Sequence, residues 1–239
     1  MNKEEFLKSL SLLNINLTDK QINDLEIYCK TLIEYNEHTN LTAIKTQDEI
    51  YLKHFYDSLT LTKIIDFNKY NTLLDIGSGA GFPGLLLKIV FPHLKVTLLD
   101  SNNKKTTFLT YISNLLKLND VLIVSERVEI FSKNNLNKFD IVTARAVTNM
   151  STLVEIALPL VKKDCYFIGM KSKMSDEIKD SYFAIKYMGG VIEDTMSFNL
   201  LGDEFERLLI KIKKERDTLP KELRTYDKII KNPLQKSCK

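Results

Sequence analysis

Cysteine and histidine are scarce in this chain. Cys29, Cys165 and Cys238 stand far apart and odd in number, which excludes a disulfide framework and any C-x-x-C knuckle. His38, His54 and His93 form no H-x-x-x-H pair, so no dedicated metal site is expected. Long apolar runs are missing as well. Runs such as Leu85-Leu86-Leu87 fall far short of the ~18 residues a membrane span requires. The opening Met1-Asn2-Lys3-Glu4-Glu5 sets acids where a secretory leader needs a basic and then an apolar stretch. No internal repeat or low-complexity tract stands out. A cytoplasmic protein with no membrane contact is the expectation.

What is present suits a folded enzyme-sized chain. Of 239 residues, 44% are hydrophobic and 27% charged, enough for a core and against wholesale disorder. The small net charge is unevenly spread: between 211 and 239 ten Lys/Arg face four Asp/Glu, and the remainder is net acidic. A basic tail of this kind can reach a polyanion, or can simply be solvated. Arginine is rare, with only Arg127, Arg145, Arg207, Arg216 and Arg224, so planar two-point recognition of phosphates or bases falls to few residues.

Periodicity divides the chain. Up to about Phe67 the pattern is helical. Phe6, Leu7, Leu10 and Leu13 share a stripe, and Thr18 with Gln21 makes a capping box ahead of Ile22, Leu25, Cys29 and Leu32. Thr46 with Glu49 opens a further helix through Ile50, His54 and Leu61. From Thr72 short apolar runs alternate with helical patterns, giving strands near 72–75, 95–100, 121–125, 139–144 and 164–170. Such βαβ units imply a parallel sheet covered on both faces. Val191–Asn199 and Glu206–Lys213, joined around Gly202-Asp203, read as an antiparallel pair. The expected organisation is a helical cap over 1–67, a doubly wound α/β domain over 68–215 and a basic tail over 216–239.

The most informative stretch is Asp75-Ile76-Gly77-Ser78-Gly79-Ala80-Gly81-Phe82-Pro83-Gly84, which leaves a strand and enters a helix at the ligand edge of such a sheet. Gly79-x-Gly81-x-x-Gly84, with Asp100 about 20 residues on, satisfies the dinucleotide fingerprint of a nicotinamide-dependent oxidoreductase. The same stretch also reads D-x-G-x-G-x-G, which resembles motif I of methyltransferases dependent on S-adenosylmethionine. Asp75 favours the second reading. A carboxylate there suits a cationic amino group and repels a pyrophosphate.

Several segments together resemble the bacterial 16S ribosomal RNA guanine-N7 methyltransferases, the glucose-inhibited division protein B family. They are Leu74–Gly84, Leu98-Leu99-Asp100-Ser101, Lys104-Lys105, Arg127-Val128-Glu129 and Phe139–Ala146, with Asn40-Leu41-Thr42 and His54–Leu59 upstream and Met170-Lys171 downstream. The resemblance covers roughly 35–215. It implies a Rossmann-like class I methyltransferase sheet and S-adenosylmethionine as cofactor. It also implies transfer of a methyl group to N7 of one guanine in the decoding-region loop of the small-subunit RNA, by a monomer that meets 16S RNA or the small subunit. The cofactor would be held at Asp75, Gly77, Gly79, Phe82, Asp100, Val128, Glu129 and Arg145. The tail departs from the family's Pro/Gly-rich ending, and Val128 stands where many members carry alanine.

N7 of guanine has an in-plane lone pair and no proton, so this chemistry requires alignment and no general base. In agreement, the loop after the fourth strand is Thr143-Ala144-Arg145-Ala146-Val147, unlike the Asn/Asp-Pro-Pro-aromatic loop of amine methyltransferases. Arg145 is the candidate positioner of substrate or cofactor. Lys104, Lys105, Lys171 and Lys173 are candidates for RNA phosphates. Phe82 and Tyr56 could stack on a base; His54 reads as a packing residue. A non-catalytic RNA-binding protein on the same fold is the remaining alternative.

Overall fold

The computed structural model describes residues 1–145, 148–171, 177–201, 204 and 206–234. The N-terminal part is helical. Asn2 and Glu5 form a reciprocal cap for α1 (Lys3–Ser9), and the capping box at Thr18 and Gln21 opens α2 (Asp19–Thr39). Asn40, left-handed at φ 53°, ends it. Beyond Thr46 the chain does not run as one uniform α-helix. A short α3 (Gln47–Glu49) passes into a π-helical stretch, Ile50–Tyr56, then α4 (Asp57–Leu59) and a 3₁₀ turn, Thr60–Lys63. The amide of Asp57 reaches Leu52 O, five residues back, as a π-bulge does.

Seven strands form one sheet: β1 (Thr72–Ile76), β2 (Lys95–Asp100), β3 (Val121–Ser125), β4 (Phe139–Arg145), β5 (Val161–Lys171), β6 (Gly190–Asn199) and β7 (Glu206–Lys214). The spatial order is β3-β2-β1-β4-β5-β7-β6. The first five strands are parallel, and β7 runs antiparallel to both β5 and β6. The expected antiparallel pair is present, but with the last strand inserted between β5 and β6. The order reverses between β1, which turns to β2, and β4, placing the ligand crevice at the carboxyl ends of these strands.

Helices cover both faces: α5 (Gly84–Val90), α6 (Asn103–Leu115), α7 (Val128–Phe131), α8 (Met150–Ala157), α9 (Glu177–Tyr187) and α10 (Tyr226–Lys231). One core joins the N-terminal helices to the sheet, with Phe6, Tyr28, Leu32 and Phe55 packed among Leu85, Leu98, Phe108 and Ile168. The other lies between the sheet and α8, α9 and α10, around Leu74, Val142, Leu153, Phe167, Ile210 and Ile229. The central strands are apolar on both faces because both are covered. No helix among the described residues is long and apolar enough to cross a membrane.

Candidate active site

The glycine turn after β1 is fixed from below. The amides of Gly77 and Ser78 both donate to Leu99 O, at 2.7 and 3.1 Å. Gly79 sits at φ +59°, a left-handed conformation that side chains rarely adopt, and its N–H donates to Asp100 Oδ2 at 2.9 Å. At Gly84 a side chain would collide with Asp75, 2.6 Å from its Cβ and 2.8 Å from Oδ2. This bare glycine lets the helix entrance press its N–H against Asp75 Oδ2, at 2.9 Å.

Asp75 itself is completely buried, and its Oδ1 has no hydrogen-bond partner. Burial pushes its carboxyl up to about 7, against the opposing pull of the Gly84 N–H and the Arg145 charge. A buried acceptor without a donor is costly, and a cationic amino group is the partner that would relieve it. Asp100 ends β2, 7% exposed, with Oδ1 accepting from Asn102 N at 2.9 Å. Each of its oxygens keeps a second lone pair for a hydroxyl. Asn102, not Asp100, caps α6.

A shallow cleft, open to solvent, lies at these strand ends. It is lined by Gly77, Asp100, Val128 and Glu129, which brings together four of the expected cofactor residues, and by Arg127, Thr148 and Tyr226. Asp75 in β1 and Gly79 in the turn after it do not line the cleft itself. An unpartnered carboxylate, a glycine-rich turn and a carboxylate at the next strand end fit S-adenosylmethionine by its ammonium, its close backbone approach and its ribose hydroxyls.

Arg145, at the end of β4, faces the N-terminal helices. Its Nη1 donates to Lys53 O at 3.0 Å and to Asp57 Oδ2 at 3.3 Å, and Nη2 lies 3.0 Å from His54 Nδ1. The π-bulge helps here, because the Asp57 amide goes to Leu52 and not to the Lys53 carbonyl. Since arginine only donates, His54 Nδ1 is the acceptor, and Nε2–H therefore donates to Thr42 Oγ1 at 3.0 Å. Burial, then the Arg145 charge, hold the His54 imidazole at about 3, hence neutral. Asp57 also accepts from Arg207 Nε at 3.2 Å. Burial raises its carboxyl, and the two arginines oppose that rise.

Phe82 and Tyr56 do not present rings for a base. Each is 3% exposed. Phe82 is stacked between Tyr28 (5.2 Å, 12°) and His54 (4.4 Å, 10°), with Arg145 over its ring at 5.6 Å. Lys104 is exposed beside the α6 entrance. Lys105 stands 3.7 Å from Asp100, and Lys171 donates to Thr148 O at 2.6 Å. Lys173 lies outside the described residues. Sequence reasoning missed Asp57 and Arg207, which stand 150 residues apart and meet only through the fold, and Tyr226, which the tail brings back to the cleft.

A family model described as rRNA small subunit methyltransferase G matches residues 21–203. A Ribosomal RNA small subunit methyltransferase G of Bacillus velezensis is 45% identical over 238 residues, 98% of this chain and 100% of its own. One of Listeria monocytogenes serovar 1/2a is 44% identical over 221 residues, 91% and 93% of the two chains. Among solved structures, a putative methyltransferase from Bacillus halodurans superposes with a TM-score of 0.54 at 15% identity, covering 67% of this chain and all of that one. M. jannaschii TYW2 in complex with AdoMet gives 0.51 at 15% identity, covering 61% and 69%. At such identities these structures speak for the shared fold alone.

Proposed function

The chain belongs to the rRNA small subunit methyltransferase G family, and from that premise we propose that it methylates N7 of a guanine in 16S ribosomal RNA. It is an enzyme dependent on S-adenosylmethionine. The observation that carries the site is the buried, unpartnered Asp75 Oδ1 beneath the glycine turn. When bound, S-adenosylmethionine supplies an electrophilic methyl group on a sulfonium.

The residues of the chain do the rest by position. Asp75 would supply the counter-charge for the ammonium, Asp100 would accept from the ribose hydroxyls, and the bare backbone at Gly77 and Gly79 would leave room for the methionine end. Val128 and Glu129 border the purine side of the cleft. Guanine N7 attacks with its own lone pair. No side chain has to remove a proton, which agrees with a neutral His54 whose acceptor nitrogen is already engaged by Arg145. Arg145, fixed by Lys53, His54 and Asp57, holds positive charge at the end of β4, the strand beside β1. Its proposed role is to position the reacting partners. Lys104, Lys105, Lys171 and Lys173 are proposed for the RNA backbone, and the active form is proposed to be a cytoplasmic monomer. The oxidoreductase and non-catalytic alternatives have no observation in their favour.

Incubation with methyl-labelled S-adenosylmethionine and either 16S RNA or 30S subunits, followed by mass spectrometry of the nucleosides, tests the reading. Label in 7-methylguanosine is the expected result. Label confined to any other nucleoside would overturn the N7 assignment.

A further inference from the structure

The basic stretch after β7 is tied down over most of its described length. Lys214 is completely buried, its Nζ donating to Met188 O at 2.8 Å and to the Thr218 hydroxyl. The Thr218 backbone exchanges two hydrogen bonds with the Asn137 side chain, both at 3.0 Å. Arg216 grips Glu222 with both guanidinium ends, at 3.0 and 2.8 Å. Arg224 makes a second two-point pair with Glu155 of α8, a carboxylate 3% exposed, and donates to Asn232 O at 2.8 Å. Ile229, also 3% exposed, seats α10 in the core beneath. Two-point arginine pairs fix direction as well as distance, so the route of the chain is defined on both sides of one residue.

That residue is Tyr226. It begins α10 and lines the cleft that Gly77, Asp100, Val128 and Glu129 also line. Among the described residues it is the one aromatic side chain bordering that cleft. The Arg127 guanidinium lies over its ring at 5.5 Å. The ring stands next to Arg127, in the segment 126–129 that follows β3. A planar, half-buried phenol held from both sides at the edge of a polar cleft is suited to the face of a purine.

We propose that Tyr226 is a further cofactor-binding residue that packs against the adenine. The C-terminal segment then completes the cofactor site, with Lys214, Arg216 and Arg224 serving as internal fastenings. This inference rests on the methyltransferase reading above.

The chain contains no tryptophan, so Tyr226→Trp installs a single indole reporter. S-adenosylhomocysteine and adenosine should both quench its emission, and methionine should not. By titration calorimetry, Tyr226→Ala should weaken S-adenosylhomocysteine about tenfold or more, whereas Tyr226→Phe should keep the wild-type affinity. If Tyr226→Ala binds as the wild type does while Asp100→Ala is weakened, the inference fails and the methyltransferase reading stands. If the wild-type protein itself binds no S-adenosylhomocysteine, the reading fails and takes the inference with it. Quenching by methionine equal to that by adenosine would also overturn the placement.

Discussion

Arg145 Nη1 lies 3.3 Å from Asp57 Oδ2, across a separation of 88 residues. The pair joins the end of β4 to the helical N-terminus, and Arg207 on β7 binds the other carboxylate oxygen. Asp57 is 5% exposed, so its removal takes a buried carboxylate away from the Arg145 guanidinium and cuts one of the contacts of Arg207. Asp57→Asn should cost about 3 kcal/mol of stability and impair methyl transfer more than cofactor binding. Urea titration and calorimetry with S-adenosylhomocysteine measure the two effects separately. A fully stable, fully active variant would contradict the role.

Cofactor binding should depend on pH through Asp75. Burial places its carboxyl at about 7, so a neutral-to-acidic solution leaves much of it protonated in the empty site. An ammonium favours the ionised form, so binding below about pH 7 should release a proton and affinity should rise from pH 5.5 to 7.5. Calorimetry in buffers of different ionisation enthalpy counts that proton. Asp75→Asn should bind more weakly and lose the pH dependence.

Gly84→Ala tests the contact between helix and strand. The new methyl group would fall 2.6 Å from Asp75 Cβ, displacing the carboxylate or the helix entrance. We expect about 1–3 kcal/mol of destabilisation and weaker S-adenosylhomocysteine binding. Thermal denaturation with and without ligand would show both. An unchanged melting temperature would mean that the turn yields more easily than its packing implies.

Lys214 makes stability rise with pH. Burial, then the Arg216 charge, lower its ammonium from 10.5 to about 7. Between these values the unfolded chain holds more protons than the folded one, so stability increases with pH. The single-site slope is at most about 1.4 kcal/mol per pH unit. Below pH 7 Asp75 contributes the opposite sign. Above 9 so does Cys29, whose thiol burial raises to about 12. Denaturant midpoints at pH 7, 8 and 9 should therefore climb in the wild type and climb less in Lys214→Met. Parallel slopes would count against a charged, strained Lys214.

The parts legible in the sequence are those determined locally. The turn from Asp75 to Gly84 is written in its glycines, and the box at Thr18 and the one-way cap at Thr46 fix helix entrances within four residues. The π-helical stretch has no such mark, because Ile50–Tyr56 carries an ordinary amphipathic pattern. Counting charge after β7 suggested an arm for polyanions. It gave no sign that Arg224 would find Glu155, or that Arg216 would close on Glu222, because those partners are chosen by tertiary structure. Phe82 looked available for stacking because a glycine-rich turn is usually exposed, and the helical N-terminus buries it.

The insertion of β7 between β5 and β6 sets an order of events during synthesis. Among the described residues β6 pairs only with β7, so when Asn199 has just been made this strand has no ladder to join and β5 presents an open edge. Neither can be satisfied until Glu206–Lys214 follows. An unpaired strand edge is a template for unwanted association. The nascent protein thus spends the interval before its last strand in its most vulnerable form, and a chain cut short there would keep that edge permanently.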